Sequence, residues 1–357
     1  MKDIELKNKL KSVISQFDRG ETPQKQDIVL LLENYKNPEI FEFAKELGRK
    51  KALENYGNNV FIRGLIEVSS FCTRNCFYCG LRCGNKEAQR YRLSFEEIMS
   101  CCESGYKAGF RTFVMQGGED PFFDDDFVCR TVAAIKQKYP DCAVTLSLGE
   151  RSYISYKRLK EAGADRYLLR HETATKEHYE KLHPKNSLFE NRMECLYNLK
   201  ELGYQTGAGF MVGSPWQTME NIANDIIFLK EFKPHMVGIG PFLPHSQTPF
   251  KDFPKGSAEL TLFVLSIVRI MLPKVLLPAT TALGTREEGG RERGILHGAN
   301  VIMPNLSPVE VRKKYMLYDN KLSSGAEASE GLEILRKSLD KIGYKIPVSR
   351  GDCLEIN

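Results

Sequence analysis

From Asn59 onward, short apolar segments alternate with longer amphipathic ones, and the pattern repeats eight times. The predicted strands are Val60 to Ser69, Thr112 to Gln116, Ala143 to Leu148, Arg166 to Leu169, Thr206 to Val212, Met236 to Ile239, Leu276 to Thr281 and Asn300 to Met303. Between them the three- and four-residue apolar spacing predicts helices over Ser94 to Ala108, Asp125 to Lys138, Ser155 to Ala162, Phe189 to Leu202, Met219 to Glu231 and Glu259 to Leu272. Several close on a glycine shortly before the next strand, at Gly109, Gly163 and Gly203, where a left-handed residue ends a helix at little steric cost. Strand and helix repeated in this way give an α/β fold class, with a complete (β/α)8 barrel of the TIM type expected and an open doubly wound sheet as the alternative.

Ahead of the alternation, Leu10, Val13 and Ile14, then Ile28, Leu31 and Leu32, recur at helical intervals. The expected division is an N-terminal helical extension over 1–58, a barrel over 59–306, and a C-terminal helical extension over 307–357 that closes the barrel. A hydrophobic content of 42% suffices for a large core. The N-terminus mixes acids and bases and lacks the apolar core of a signal peptide. The longest apolar run, Leu260 to Pro273, is too short to span a bilayer and contains Arg269, so it reads as a buried helix. A cytoplasmic chain with no membrane partner is expected. The net charge of +5 is spread along the chain without a basic block interleaved with aromatics, which argues against nucleic acid as a partner.

Ten cysteines without an export signal point to reduced thiols rather than a disulfide framework. Cys72, Cys76 and Cys79 stand together as C-T-R-N-C-F-Y-C at the exit of the first predicted strand. Three closely spaced thiolates leave one iron of a four-iron cube open to a small molecule. Two other readings remain at this point. Structural zinc wants four ligands, and no His lies within fifty residues on either side. A ferredoxin-type cluster would take Cys83, four residues after Cys79, as its fourth ligand.

At the end of the second predicted strand stands Gln116-Gly117-Gly118-Glu119-Asp120-Pro121. Paired glycines let a backbone approach a ligand closely, and barrel active sites assemble at the C-terminal ends of strands. The fourth strand ends in Arg170-His171-Glu172-Thr173, placing a carboxylate-matching fork and an acceptor at the same end. Thr145 and Ser147 alternate on the third strand and so share a face, while Thr280 and Thr281 sit side by side on the seventh. Such hydroxyls suit a small polar ligand, although threonine is also a plain strand former.

The cysteine spacing after a first barrel strand, with an aromatic before the last Cys, resembles the radical SAM superfamily. That resemblance implies one 4Fe-4S cluster on Cys72, Cys76 and Cys79, and S-adenosylmethionine at its open iron. One-electron reduction of the sulfonium would then give a 5′-deoxyadenosyl radical. Phe77 and Tyr78 would pack on the cluster and restrict water. More narrowly, the segments RGLIEVSSFCTRNCFYCGLR, QGGEDPF, VTLSLGE, AGADRYLLRHETA, FENR, GYQTGAGFMVGSPWQT, MVGIGPFLPH, LLPATTALGT and GANVIMPN, in this order, resemble the HydE family of FeFe-hydrogenase maturases.

The family resemblance implies cofactor binding by Gly117, Gly118, Glu119, Ser147, Glu172 and Arg192. Arg170, Thr145, Thr280 and Thr281 would receive the substrate, with Tyr315 and Tyr318 closing the floor or wall of the cavity. The implied substrate is a cysteine-bound iron carbonyl cyanide precursor of the diiron subcluster, or an amino-acid-like molecule. Other hydrogenase maturases and an electron donor such as ferredoxin or flavodoxin are the implied partners. Some members carry a second cluster on cysteines after the region resembling Tyr315 to Lys321, but this stretch reads KLSSGAEASEGLEIL without a Cys, so none is expected. His183 stands where an arginine is frequent, a departure the sequence does not explain.

Two alternatives stay open. A small-molecule enzyme of the methylornithine synthase or biotin synthase type shares the fold, and the former shares the Tyr91-Arg92-Leu93 that follows the cysteine loop. Cys101, Cys102, Cys129, Cys142 and Cys195 form no local ligand motif for the sacrificial cluster of a biotin synthase. A scaffold that hands on an iron unit without turning over S-adenosylmethionine is the other.

Overall fold

The computed structural model describes residues 2–322 and 328–354. Three helices lead, α1 (Lys2–Asp18), α2 (Lys25–Glu33) and α3 (Pro38–Tyr56), the last capped by Asn37, whose side chain accepts from the N–H groups of Glu39 and Ile40. The strands follow as β1 (Phe61–Ile62), β2 (Gly64–Ser69), β3 (Thr112–Gly117), β4 (Ala143–Ser147), β5 (Arg166–Leu168), β6 (Gln205–Val212), β7 (Met236–Pro241) and β8 (Val301–Ile302). Helices α4 (Phe95–Lys107), α5 (Asp125–Lys138) and α6 (Tyr153–Glu161) cross between β2 and β5. Then come α7 (Lys176–Leu182), α8 (Phe189–Glu201), α9 (Met219–Phe232), α10 (Ala258–Met271), α11 (Thr281–Arg286) and α12 (Gly290–Leu296), with α13 (Val309–Arg312) and α14 (Ala328–Asp340) after β8. Gly109, Gly163 and Gly203 have φ of +98°, +109° and +73°, the left-handed helix endings expected from the sequence.

The fold is α/β, and β2 to β7 form one parallel sheet in chain order. Of the complete (β/α)8 barrel expected from the sequence, six strands form one continuous ladder and the remaining sector is linked more sparsely. β8 pairs with β1 in a separate two-stranded sheet, and single bridges, Met236 to Leu276, Pro278 to Val301 and Leu65 to Asn305, link the remaining sector. The first predicted strand divides at Arg63 because its halves take different partners, Phe61–Ile62 with β8 and Gly64–Ser69 with β3. The seventh is reduced to two single bridges, Leu276 to Met236 of β7 and Pro278 to Val301 of β8: Pro278 has no N–H to extend a ladder, and Thr280 leaves the sheet to cap α11, its side chain accepting from the Leu283 N–H. Thr280 and Thr281 are therefore helix-start residues, not neighbours on a strand.

Register builds the interior in layers. Glu67 pairs with Gln116 and Gln116 with Ser147, while Leu65 pairs with Val114 and Val114 with Thr145. Since alternate residues share a face, Glu67, Gln116 and Ser147 make a polar layer near the strands' C-terminal ends, above a mainly apolar one. At the opposite end the C-terminal segment crosses the strand starts. Val60 N–H donates to Lys345 O, Thr112 Oγ1 to Arg350 O, and Arg166 pairs with Asp352 at 2.5 Å. The apolar run read as a buried helix is α10, covered outside by α1 and α3 and inside by β7.

Candidate functional site

Cys72, Cys76 and Cys79 lie part-buried on the loop that leaves β2. Backbone hydrogen bonds fix that loop from three sides: Thr73 N–H to Glu119 O at 3.0 Å, Phe77 N–H to Leu182 O at 3.0 Å, and Gly80 N–H to Leu317 O at 2.8 Å. Burial pushes all three thiols up, Cys76 to about 12, so without a cationic centre they are neutral. Among the described residues no three His, Cys, Asp or Glu side chains converge on a single ion. Donors that each take a separate corner of a cube need not converge, whereas a mononuclear zinc site requires it. Cys83 is exposed and free.

Phe77 packs edge-on against Phe250 at 6.0 Å, within an apolar group that includes Leu182, Met211, Phe242 and Phe253. Tyr78 packs on the same group and carries its hydroxyl to His183, and this accounts for the unexplained histidine. His183 Nδ1 donates to Tyr179 O at 2.9 Å, leaving Nε2 to accept from Tyr78 Oη at 3.2 Å, and its ring stacks on Tyr179 at 3.9 Å. Burial pushes the imidazole down to about 3, which keeps that neutral arrangement in place. An arginine could not both accept from Tyr78 and stack in this way.

The Gly117-Gly118 turn at the end of β3 presses on the cysteine loop. A Cβ on Gly118 would lie 2.2 Å from Phe71 O and 2.5 Å from Cys72 Cβ, so only glycine fits. Glu119 ties the cysteine loop to the turn after β4. Its carboxylate receives Arg74 Nε at 2.5 Å and the Glu150 N–H at 3.1 Å, and its carbonyl accepts from Thr73 N–H and Oγ1. Glu150 was given no role from the sequence, yet it joins the site together. Its buried carboxylate takes Arg74 at 3.0 Å, Asn191 at 2.5 Å and Arg192 Nε at 2.6 Å. Arg192, on the first turns of α8, also donates to Arg170 O at 2.7 Å. Glu150 ends VTLSLGE, and a carboxylate at a strand's C-terminal end was the available signal.

Arg170, His171 and Glu172 follow β5. Arg170 Nη2 pairs with Glu172 Oε2 at 3.1 Å, while Arg170 Nε is buried without an acceptor among the described residues. Arg170 Cδ lies alongside Gly238 of β7, and Thr280 Oγ1 alongside Gly240 of the same strand. Thr281 instead meets Arg291 at 3.5 Å. Thr145 Oγ1 is buried without a hydrogen-bond partner among the described residues, lining a cavity of about 20 Å³ with Arg63, Val114, Leu168 and Met236. Ser147 is half-buried one layer higher.

Tyr315 is buried and accepts from Gln116 Nε2 at 3.3 Å. Burial pushes Tyr318 up to about 12, and Arg291, Glu67 and Arg170 lie near enough to act on it. Both tyrosines stand at the C-terminal mouth, as wall; the floor is the 345–353 segment. Beside them Lys321 forms a buried ion pair with Glu67 and donates to Tyr315 O at 3.0 Å, while Asn305 donates to Glu67 at 2.9 Å. Sequence reading missed this pair because its partners are far apart in the chain. Of the stretch named for the absent second cluster, residues 323–327 lie outside the described residues.

A family model described as the Radical SAM superfamily matches residues 66–229. The chain is 47% identical over 309 residues to the FeFe hydrogenase maturase subunit HydE of Thermotoga maritima, covering 87% of each chain. It is 29% identical over 323 residues to the 3-methylornithine synthase of Methanosarcina acetivorans, covering 89% of each. A solved structure of methylornithine synthase superposes with a TM-score of 0.83 at 27% identity, over 94% of this chain and 97% of that one.

Proposed function

The chain belongs to the HydE family of the radical SAM superfamily, and from that premise we propose how its residues divide the work of maturing an FeFe hydrogenase. Membership makes it a radical SAM enzyme with a 4Fe-4S cluster and S-adenosylmethionine as cofactors. The donor set fits them: three free, part-buried thiols on one loop pinned from three sides, each able to give up its proton to a metal centre. Cys72, Cys76 and Cys79 would hold the cluster. When bound, cluster and S-adenosylmethionine together supply a one-electron cleavage that yields a 5′-deoxyadenosyl radical.

The remaining residues bind, orient and exclude water. The Gly117-Gly118 backbone, with Glu119, Ser147, Glu172 and Arg192, forms the S-adenosylmethionine site, with Glu150 holding Arg192 in place. Arg170 offers a guanidinium fork to a substrate carboxylate, and Thr145, Thr280 and Thr281 offer hydroxyls. Tyr315 and Tyr318 wall the cavity against water. The substrate is a cysteine-bound iron carbonyl cyanide unit, supplied and taken up by other maturases, with ferredoxin or flavodoxin as reductant, in the cytoplasm. Among the described residues no helix is long and apolar enough to cross a membrane.

The observation that carries this reading is the convergence of the cysteine loop, the Gly118 turn and the Arg170–Glu172 pair at one end of one parallel sheet. Anaerobic reconstitution tests it. Adding reductant and S-adenosylmethionine is expected to release 5′-deoxyadenosine, and Cys76→Ala to abolish it. Absence of that product from the wild type would favour the scaffold reading, and its persistence in Cys76→Ala would remove the cluster assignment. The likeness to methylornithine synthase supports a second reading, an amino-acid rearrangement. Activation of an apo-hydrogenase in a mixture lacking its own HydE separates the two.

A further inference from the structure

Glu172 has φ of +66°, a left-handed backbone that is strained for a residue with a Cβ, so its neighbours must hold it there. Its own N–H donates to Gly209 O at 3.0 Å. His171 is fully buried, and its Nδ1 accepts the Gly209 N–H at 3.2 Å, which leaves the ring proton on Nε2. Nε2 faces Asp225 Oδ1 at 3.3 Å, close but outside in-line hydrogen-bond geometry. The same Oδ1 accepts the Ala174 N–H at 2.5 Å. One carboxylate oxygen on α9 thus staples the residue before Glu172 and the second residue after it. Phe228 and Phe210 pack around the imidazole at 4.7 and 5.7 Å and leave it little freedom.

Asp225 is an expensive residue for merely filling space. It is fully buried, and its Oδ2 finds no donor among the described residues. An apolar side chain of similar size would avoid that desolvation cost. What an apolar side chain cannot do is accept the Ala174 N–H on one flank of a strained turn while setting the same oxygen against the His171 Nε2–H on the other.

We propose that Asp225 is a positioning residue which, through His171 and the Ala174 N–H, holds the Glu172 carboxylate where S-adenosylmethionine meets it. The proposal rests on Glu172 being a ligand of that cofactor. It requires only the oxygen at the Oδ1 position, so Asp225→Asn keeps the staple and Asp225→Ala removes it.

The test is S-adenosylmethionine affinity, measured by equilibrium dialysis on the reconstituted protein, for Asp225→Ala, Asp225→Asn, Glu172→Gln and the Asp225→Ala/Glu172→Gln double variant. Asp225→Ala is expected to weaken binding about tenfold, as loss of an orienting partner does elsewhere. Asp225→Asn is expected to stay within about twofold of wild type, and Asp225→Ala to add little in the Glu172→Gln background, because the two act through one contact. A full additive loss in the double variant, or no rescue by Asn, makes Asp225 a structural residue and overturns the proposal. If Glu172→Gln weakens binding while Asp225→Ala does not, positioning falls and Glu172 stands as a ligand. If Glu172→Gln binds as tightly as wild type, the ligand assignment itself falls and takes the proposal with it. Nitrogen-15 spectra of histidine-labelled protein before cluster loading give a check that needs no variant: His171 is expected as the Nε2–H tautomer, and the Nδ1–H form overturns the proposal.

Discussion

At the scale of single residues, Gly118 is where one methyl group decides the site. The atoms its Cβ would strike, Phe71 O at 2.2 Å and Cys72 Cβ at 2.5 Å, belong to the cysteine loop itself and have no flexible end that can swing aside. Gly117 is different, with Val68 Cγ2 at 3.3 Å and its other neighbours at ordinary contact distance. Gly118→Ala is therefore expected to cut the iron retained per chain after reconstitution several-fold with secondary structure unchanged, whereas Gly117→Ala retains its iron. Equal iron content in the two variants would show that the turn does not shape the loop. The chain order alone exposed these glycines and the three cysteines, because each motif is contiguous and its spacing carries its chemistry. The Glu150–Arg192 and His171–Asp225 contacts were not legible, since Arg192 and Asp225 come from helices well removed in sequence and only folding brings them to their partners.

Elements were readable where periodicity and an ending signal agreed. Asp125–Lys138 matches its predicted bounds, with Asp124 as a side-chain cap and lysines in its last turn. The seventh strand was not readable, because a β-ladder depends on a partner and on N–H groups that Pro278 and the Thr280 cap withdraw. α10 shows a reading that holds for a reason the sequence did not give. Its apolar run is buried on all sides because α3 lies over it, and the approach is close enough that a Cβ on Gly48 would sit 3.1 Å from Ser266 Cα and 3.2 Å from Ser266 O. Arg269 stays inside by donating to Gly298 O, Pro273 O, Val275 O and Asn300 Oδ1. Gly48→Leu is expected to prise α3 from α10 and destabilise the chain by about 2 kcal/mol, within the usual range for overpacking. Urea unfolding of the cluster-free protein measures it, and a wild-type midpoint would mean that the helix layer does not depend on this contact.

For the molecule as a whole, the candidate-site groups gather at the strands' C-terminal ends while the last residues of the described chain cross the other end, and Asp352 is the charged part of that seal. It accepts from Arg166 at 2.5 Å, Gln205 at 3.0 Å and Arg350 Nε at 3.0 Å. Burial opposes its ionisation, but Arg166 and Gln205 outweigh it and hold the carboxyl down at about 2. The same burial pulls Arg166 down, but an arginine remains charged throughout the acid range, so Asp352 sets the pH dependence. In the unfolded chain a carboxyl of this type titrates near 3.9. The folded value is the lower one, so the stabilisation is complete above about pH 4 and is lost as pH falls toward 2, amounting to about 2 kcal/mol for a shift of this size. Asp352→Asn removes that acid-dependent part and leaves the fully buried Arg166 without its counter-charge, a loss on the order of 3 kcal/mol at neutral pH. Denaturant midpoints of both proteins from pH 7 down to pH 2.5 are expected to differ most at neutral pH and to converge in acid. Parallel curves would show that the floor is sealed by packing alone.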